Sequence, residues 1–326
     1  MHTVVLVTGG AGFIGSALSK SLIDDGYKVF CIDNLITGDK KNIEELLKNP
    51  RFEFIEQDIT KPVQSSTLRQ RFGQEFKVQS LDFIFHLASP ASPNKKSKRS
   101  YINHPIETML ANSVGTYNLL NLARESNASF LYASSSEIYG DPKVSPQRED
   151  YWGHVNPNGI RSVYDEAKRF GESLCLAYFR KYKVNARIVR IFNTYGPNMM
   201  IDDGRVVSNF INQAITNSKI TVYGEGTQTR SFCYIDDMVD GLKKALFLKN
   251  TVGEVINLGN PDERTIIDLA KLIKEIVGSS SNIIFEELPE DDPKSRKPDI
   301  SKAKRLLDWT PRVSLKEGLK KTIDYV

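Results

Sequence analysis

Thr8-Gly9-Gly10-Ala11-Gly12-Phe13-Ile14-Gly15 spaces three glycines as GxxGxxG, directly after the β-branched run Val4–Thr8 and ahead of a helical pattern over 13–25. Glycine permits a tight turn and lets the backbone approach a pyrophosphate, which then sits on the N–H groups of the helix start. A second apolar run over 28–33 closes on Asp33. A carboxylate there can accept from both ribose hydroxyls and repels a 2′-phosphate, so the expected cofactor is NAD rather than NADP. No arginine neighbours Asp33 in sequence, and Asp39 adds negative charge. Asp58, after a third run over 52–56, is the expected adenine-edge contact.

The same rhythm continues through apolar runs over 81–86, 129–134 and 186–190, separated by helical patterns from about 103 to 126 and from 162 to 182. Short strands alternating with helices predict an α/β chain: a Rossmann-type, doubly wound parallel sheet with helices on both faces. After Phe192, Gly/Pro/Asn-rich loops separate shorter elements. Residues 1–191, with about 231–260 returning to the main sheet, are read as the NAD-binding domain. Residues 192–230 and 261–326 are read as a smaller substrate lobe.

With 326 residues, 40% of them hydrophobic and 26% charged, the composition is that of a soluble globular protein. A formal charge of +4 is slight for this length; it gives no reason to expect a nucleic-acid partner and suits an anionic small substrate. The three cysteines, Cys31, Cys175 and Cys233, lack metal-ligand spacing and are expected as buried free thiols, with no metal site. The opening MHTVVLVTGG is not a charged-then-apolar leader, and no apolar run approaches the ~18 residues of a membrane span. A cytoplasmic protein without membrane attachment is expected.

Tyr164-Asp165-Glu166-Ala167-Lys168 puts a phenol and an ammonium on one face of a helix. A tyrosine needs a lowered pKa to act as a base near neutrality, and a close cation is expected to supply it. The same ammonium can hold the nicotinamide ribose. YxxxK is common by itself; downstream of the glycine turn it becomes specific.

With these motifs the chain resembles the extended short-chain dehydrogenase/reductase (NAD-dependent epimerase/dehydratase) superfamily over essentially its whole length. Further shared features are His86-Leu87-Ala88, Asn112, and Ser134-Ser135-Ser136-Glu137-Ile138-Tyr139-Gly140. The resemblance implies cofactor contacts at Gly9, Gly12, Phe13, Ile14, Gly15, Asp33, Asn34, Asp58, Ile59, Leu87, Ala88, Asn112, Tyr164 and Lys168. Within the superfamily the chain is most similar to the UDP-glucuronate decarboxylase (UDP-xylose synthase) family, on stretches such as 86–93, 149–157, 190–197, 203–210 and Arg296-Lys297-Pro298-Asp299-Ile300. Dehydratases have an Asp-Glu pair where this chain has Ser136-Glu137, and 4-epimerases usually have a small uncharged residue at Glu137. The resemblance implies that Tyr164, Lys168, Ser135, Ser136, Glu137 and Arg296 carry the chemistry. It also implies that Asn193, Arg205, Arg230 and Arg296 hold a UDP-linked sugar, in a homodimer packed through the helices near 103–126 and 162–181.

Two departures stand out. Leu110 occupies the position where those decarboxylases carry a lysine for the substrate carboxylate. The segment Asn94-Lys95-Lys96-Ser97-Lys98-Arg99-Ser100 is longer and more basic than its counterpart, which leaves either a solvated mobile loop or a basic flap over the sugar. Another C4-oxidising activity of the 4-epimerase or 4,6-dehydratase type, and a non-catalytic NAD-binding regulator, remain as alternatives.

Overall fold

The computed structural model describes residues 3–63, 81–200, 203–288 and 292–326. Six runs form β1 (Val4–Thr8), β2 (Lys28–Asp33), β3 (Phe52–Glu56), β4 (Leu81–His86), β5 (Ser129–Ser135) and β6 (Ala186–Ile191). With Val255–Leu258 they make a seven-stranded parallel sheet, ordered Val255–Leu258, β6, β5, β4, β1, β2, β3. Alternate residues of β1 enter two separate apolar clusters: Val5 and Val7 in one, Val4 and Leu6 in the other. Side chains alternate across a strand, so both faces of the sheet are buried, as a parallel sheet requires.

Chain order reverses at β1, which lies between β4 and β2. The loops leaving β1 and β4 therefore diverge and open a crevice at their carboxyl ends, the usual ligand seat of such sheets.

Three details differ from the sequence expectation. The helical pattern near 103–126 is two helices, Pro105–Leu110 and Thr116–Ser126, joined by a π-helical segment, Ala111–Gly115. A side chain inserted into a helical ladder is one cause of such a break, and Asn112 donates to Thr108 O at 2.8 Å there. The run near 232–235 does not rejoin the main sheet: Cys233–Tyr234 pairs with Thr194–Tyr195 in a separate two-stranded ladder. The basic segment 94–100 is tied down by hydrogen bonds, including Asn103 Nδ2 to Lys95 O at 2.9 Å and to Ser97 O at 2.8 Å. Among the described residues no helix is long and apolar enough to cross a membrane, and no His/Cys/Asp/Glu group could hold a metal.

Candidate active site

The crevice is a cavity of about 310 Å3, a size suited to a small-molecule site. Its floor is the glycine turn. Gly9 has φ +73°, and a Cβ there would stand 2.7 Å from Ala88 N; a Cβ on Gly15 would stand 2.1 Å from Gly9 O. The turn and the β4 loop can approach this closely only as glycine. Gly12 meets only Gly9 O, at 3.2 Å, so a side chain there would project into otherwise open space. That open space over a helix start, which begins at Phe13 with Gly12 as its cap, is the cradle a dinucleotide pyrophosphate fits.

Asp33 is buried and accepts from Ala11 N at 3.0 Å and Leu35 N at 2.8 Å. These bonds fix its direction and leave lone pairs for ribose hydroxyls. Burial pushes its carboxyl upward against those two backbone donors. Phe13, Ile14, Asn34, Asp58, Ile59, Leu87 and Ala88 line the same cavity. Asn112 does not: it is fully buried, donating to Ser89 Oγ at 2.8 Å and accepting from Tyr132 OH at 2.9 Å, so it acts on the cavity through Ser89.

Tyr164 and Lys168 stand at the other end with Ser135, Ser136 and Glu137. The expected lowering of the phenol pKa is not what the fold produces. Burial pushes Tyr164 up to about 12, opposed by a hydrogen bond with Ser135. Lys168 lies 5.6 Å from the Tyr164 ring centre and donates Nζ–H to Ala133 O at 2.8 Å. Burial lowers its own pKa to about 7. Burial thus disfavours the charged form of both groups, and an apolar setting resists charging either one alone. Tyr101 stacks on Tyr164, with ring centres 4.9 Å apart and planes 11° apart. His86, pushed down to about 3 by burial and by the Lys168 charge, is a neutral strut between Thr8 Oγ1 and Thr116 Oγ1, 3.0 Å from each.

Beyond Tyr164 lies a cluster of charges assembled from distant segments. Glu137 is gripped by Arg161 and by Arg296 Nη2, the latter at 3.1 Å, and Arg296 Nη1 donates to Gly140 O at 2.8 Å. Burial alone would raise the Glu137 carboxyl, but Arg296 and Arg161 outweigh it and hold it well below the usual range. Asp165, beside it, is pushed up by burial and by the Glu137 charge. Arg161 also faces Asp292 at 3.8 Å, and Arg230 donates to Asp292 at 2.8 Å. Arg230 lines neither this cavity nor the adjoining one bounded by Glu137, Arg161, Asp165, Asp292 and Arg296. No sequence motif singles out Arg161, although it precedes Tyr164 by three residues, about one helical turn.

Asn193 and Arg205 border the main cavity. The Asn193 Nδ2 is buried without a hydrogen-bond partner, a donor that a bound ligand can satisfy. Arg205 is held by Asp203, at 2.5 and 2.9 Å. Leu110 also borders the cavity, 41% exposed, and supplies no charge.

The NAD dependent epimerase/dehydratase family matches residues 5–259. The chain belongs to that family. It is 48% identical over 321 residues to UDP-glucuronic acid decarboxylase 1 of Xenopus tropicalis, a match covering 98% of this chain and 71% of that protein. To UDP-glucuronic acid decarboxylase 1 of Arabidopsis thaliana it is 49% identical over 319 residues, covering 98% and 68%. Among solved structures, the UDP-glucuronic acid 4-epimerase of Bacillus cereus, in complex with UDP-glucuronic acid and NAD, superposes with a TM-score of 0.85 at 33% identity, covering 99% of this chain and 98% of that one. The glycine cradle, the acid at the end of β2 and the family assignment agree on NAD as the cofactor.

Proposed function

We propose that this protein decarboxylates UDP-glucuronate to UDP-xylose through a 4-keto sugar. The observation that carries the reading is Glu137, held ionised between Arg161 and Arg296 beside Tyr164. The near-full-length likeness to the two decarboxylases supports it. NAD, when bound, supplies the two-electron acceptor that takes the C4 hydrogen with its electron pair and later returns it, so the cycle is redox-neutral. Tyr164, its phenol pKa lowered by the positive charges that bound NAD and Lys168 would place beside it, removes the O4 proton once deprotonated, while Ser135 hydrogen-bonds O4. The resulting ketone is β to the C6 carboxylate. The C5–C6 bond can then break, carbon dioxide leaves, and the electron pair is held as an enolate whose oxygen faces Ser135 and the Tyr164 hydroxyl. Glu137 and Arg296 orient the ring and manage the proton that C5 must receive. Lys168 holds the nicotinamide ribose. Arg161 and Arg296 supply the positive charge that Leu110 does not. Arginine's planar fork suits both carboxylate and diphosphate, so Arg205, with Asn193, is assigned to the nucleotide side, whereas Arg230, which lines neither cavity, holds Asp292.

In this reading 1–191 with about 231–260 forms the cofactor domain, and 192–230 with 261–326 the nucleotide lobe. A homodimer packs through the helices near 103–126 and 162–181, which expose Ile106, Met109, Val114, Tyr117 and Phe170. The cytoplasm is the assigned location.

Leu110 favours a second reading, C4 epimerisation without carbon loss. Incubation with UDP-glucuronate, read by mass spectrometry, separates the two. A UDP-pentose with carbon dioxide released is expected; a product isomeric with the substrate would overturn decarboxylation.

A further inference from the structure

The basic segment is expected as either a solvated loop or a basic flap formed by Lys95, Lys96, Lys98 or Arg99; the exposed lysines do not form the flap. Lys95, Lys96 and Lys98 are exposed, whereas Arg99 is half-buried and borders the main cavity with Asp33, Asn34, Thr37 and Gly38. Its Nη1 donates to Thr37 O at 2.7 Å, and its Nη2 lies 3.7 Å from Asp39. An arginine absent from the sequence neighbourhood of Asp33 is thus brought there by the fold, from 62 residues beyond Thr37.

The other end of the segment is anchored across the cavity. Ser92 Oγ donates to Asp203 O at 2.5 Å, and Asn94 Nδ2 to Gly204 O at 3.4 Å, next to the Asp203–Arg205 pair. Between the anchors the segment is braced by Ser100 Oγ on Ser92 O at 2.9 Å and by a 2.8 Å contact of His104 Nε2 with Lys98 O. The segment thus joins the Asp33 loop to the 203–205 loop through hydrogen bonds, and Ser92, Pro93 and Arg99 border the cavity along it.

Asp33 and Asp39 together make this end acidic, which disfavours an anionic dinucleotide. A guanidinium paired with Asp39 offsets that charge, and its flat face, bordering the cavity, is suited to stack on a nucleoside. We propose that Arg99 is a cofactor-binding residue closing the Asp33 end of the cleft, and that residues 92–100 form a strap retaining the adenosine end of NAD. The proposal rests on NAD dependence alone and is independent of the sugar chemistry.

The test is the release rate of NADH preloaded on the purified enzyme and chased with excess NAD, followed by NADH fluorescence. Arg99→Ala is expected to release NADH at least about tenfold faster, the scale of one lost charge-assisted contact. Asn94→Ala leaves Arg99 in place but frees the far anchor, and it should accelerate release by a smaller factor. Lys98→Ala, an exposed neighbour, should match the parent. If Arg99→Ala does not fold, Arg99→Lys, which keeps the charge but loses the planar fork, should still release faster. Parent-like release in the Arg99 variant that folds, or in Asn94→Ala, overturns the strap.

Discussion

The two ends of the cavity are built on opposite plans. The cofactor end is a continuous backbone turn, in which Gly9, Gly12 and Gly15 are required because neighbouring backbone leaves no room for a side chain or because the open space is the site. The chemical end is a cluster of side-chain charges, Glu137, Arg161, Asp292 and Arg296, drawn from segments far apart in the chain and held by one another. A backbone site tolerates almost no change at a few positions and is insensitive to pH. A charge cluster is sensitive to pH, and each member depends on partners elsewhere.

Substitutions at each end should separate these plans. The largest expected effect is at their junction: Tyr164→Phe should lower turnover by about 10^2- to 10^4-fold, the range of positioned acid–base groups, with nucleotide and NADH binding retained. Equilibrium binding alongside steady-state rates checks it, and a loss below tenfold would remove Tyr164 from the chemistry. Next is Arg296→Ala. It strips a buried partner from Glu137 and should cost about 3 kcal/mol in denaturant unfolding while NADH affinity stays near the parent's.

Gly15→Ala should act the other way. The added Cβ meets Gly9 O, so the turn must shift, costing roughly 1–3 kcal/mol and weakening NADH binding, with the Glu137 cluster intact. If both variants lose cofactor and stability in the same proportion, the two ends are not separable. The smallest effect is in acid. The folded pKa of Glu137 lies below its ordinary 4.5. The stability it contributes is therefore fully present above about pH 4.5 and is lost as the pH falls toward the folded value. Glu137→Gln should flatten that limb of the stability–pH curve; an unchanged limb would mean that other carboxylates govern it.

The local elements were largely legible. The helix Ser162–Tyr182 and the strands of the main sheet follow the apolar periodicity to within a residue, because burial on one or both faces imposes that periodicity. The break at Ala111–Gly115 was not legible: an asparagine that bonds back along its own helix and across to Tyr132 is a tertiary arrangement. Nor was the pairing of Cys233–Tyr234 with Thr194–Tyr195, since two-residue runs carry no periodicity. The tyrosine–lysine pair was legible as a pair, but not its electrostatics. Spacing brings the groups close, whereas burial sets their pKa values and here raises the phenol.

The sequence by itself determined the alternating strands and helices, the glycine turn with its terminal acid, and the helix that presents Tyr164 and Lys168, because each is written in a local pattern of neighbouring residues. Only the tertiary structure decided which arginines serve which end: Arg161 and Arg296 on Glu137, and Arg99 beside Asp33. Charge acts through space, over distances at which residues remote in the chain count as much as adjacent ones. That neighbourhood exists only once the chain has folded.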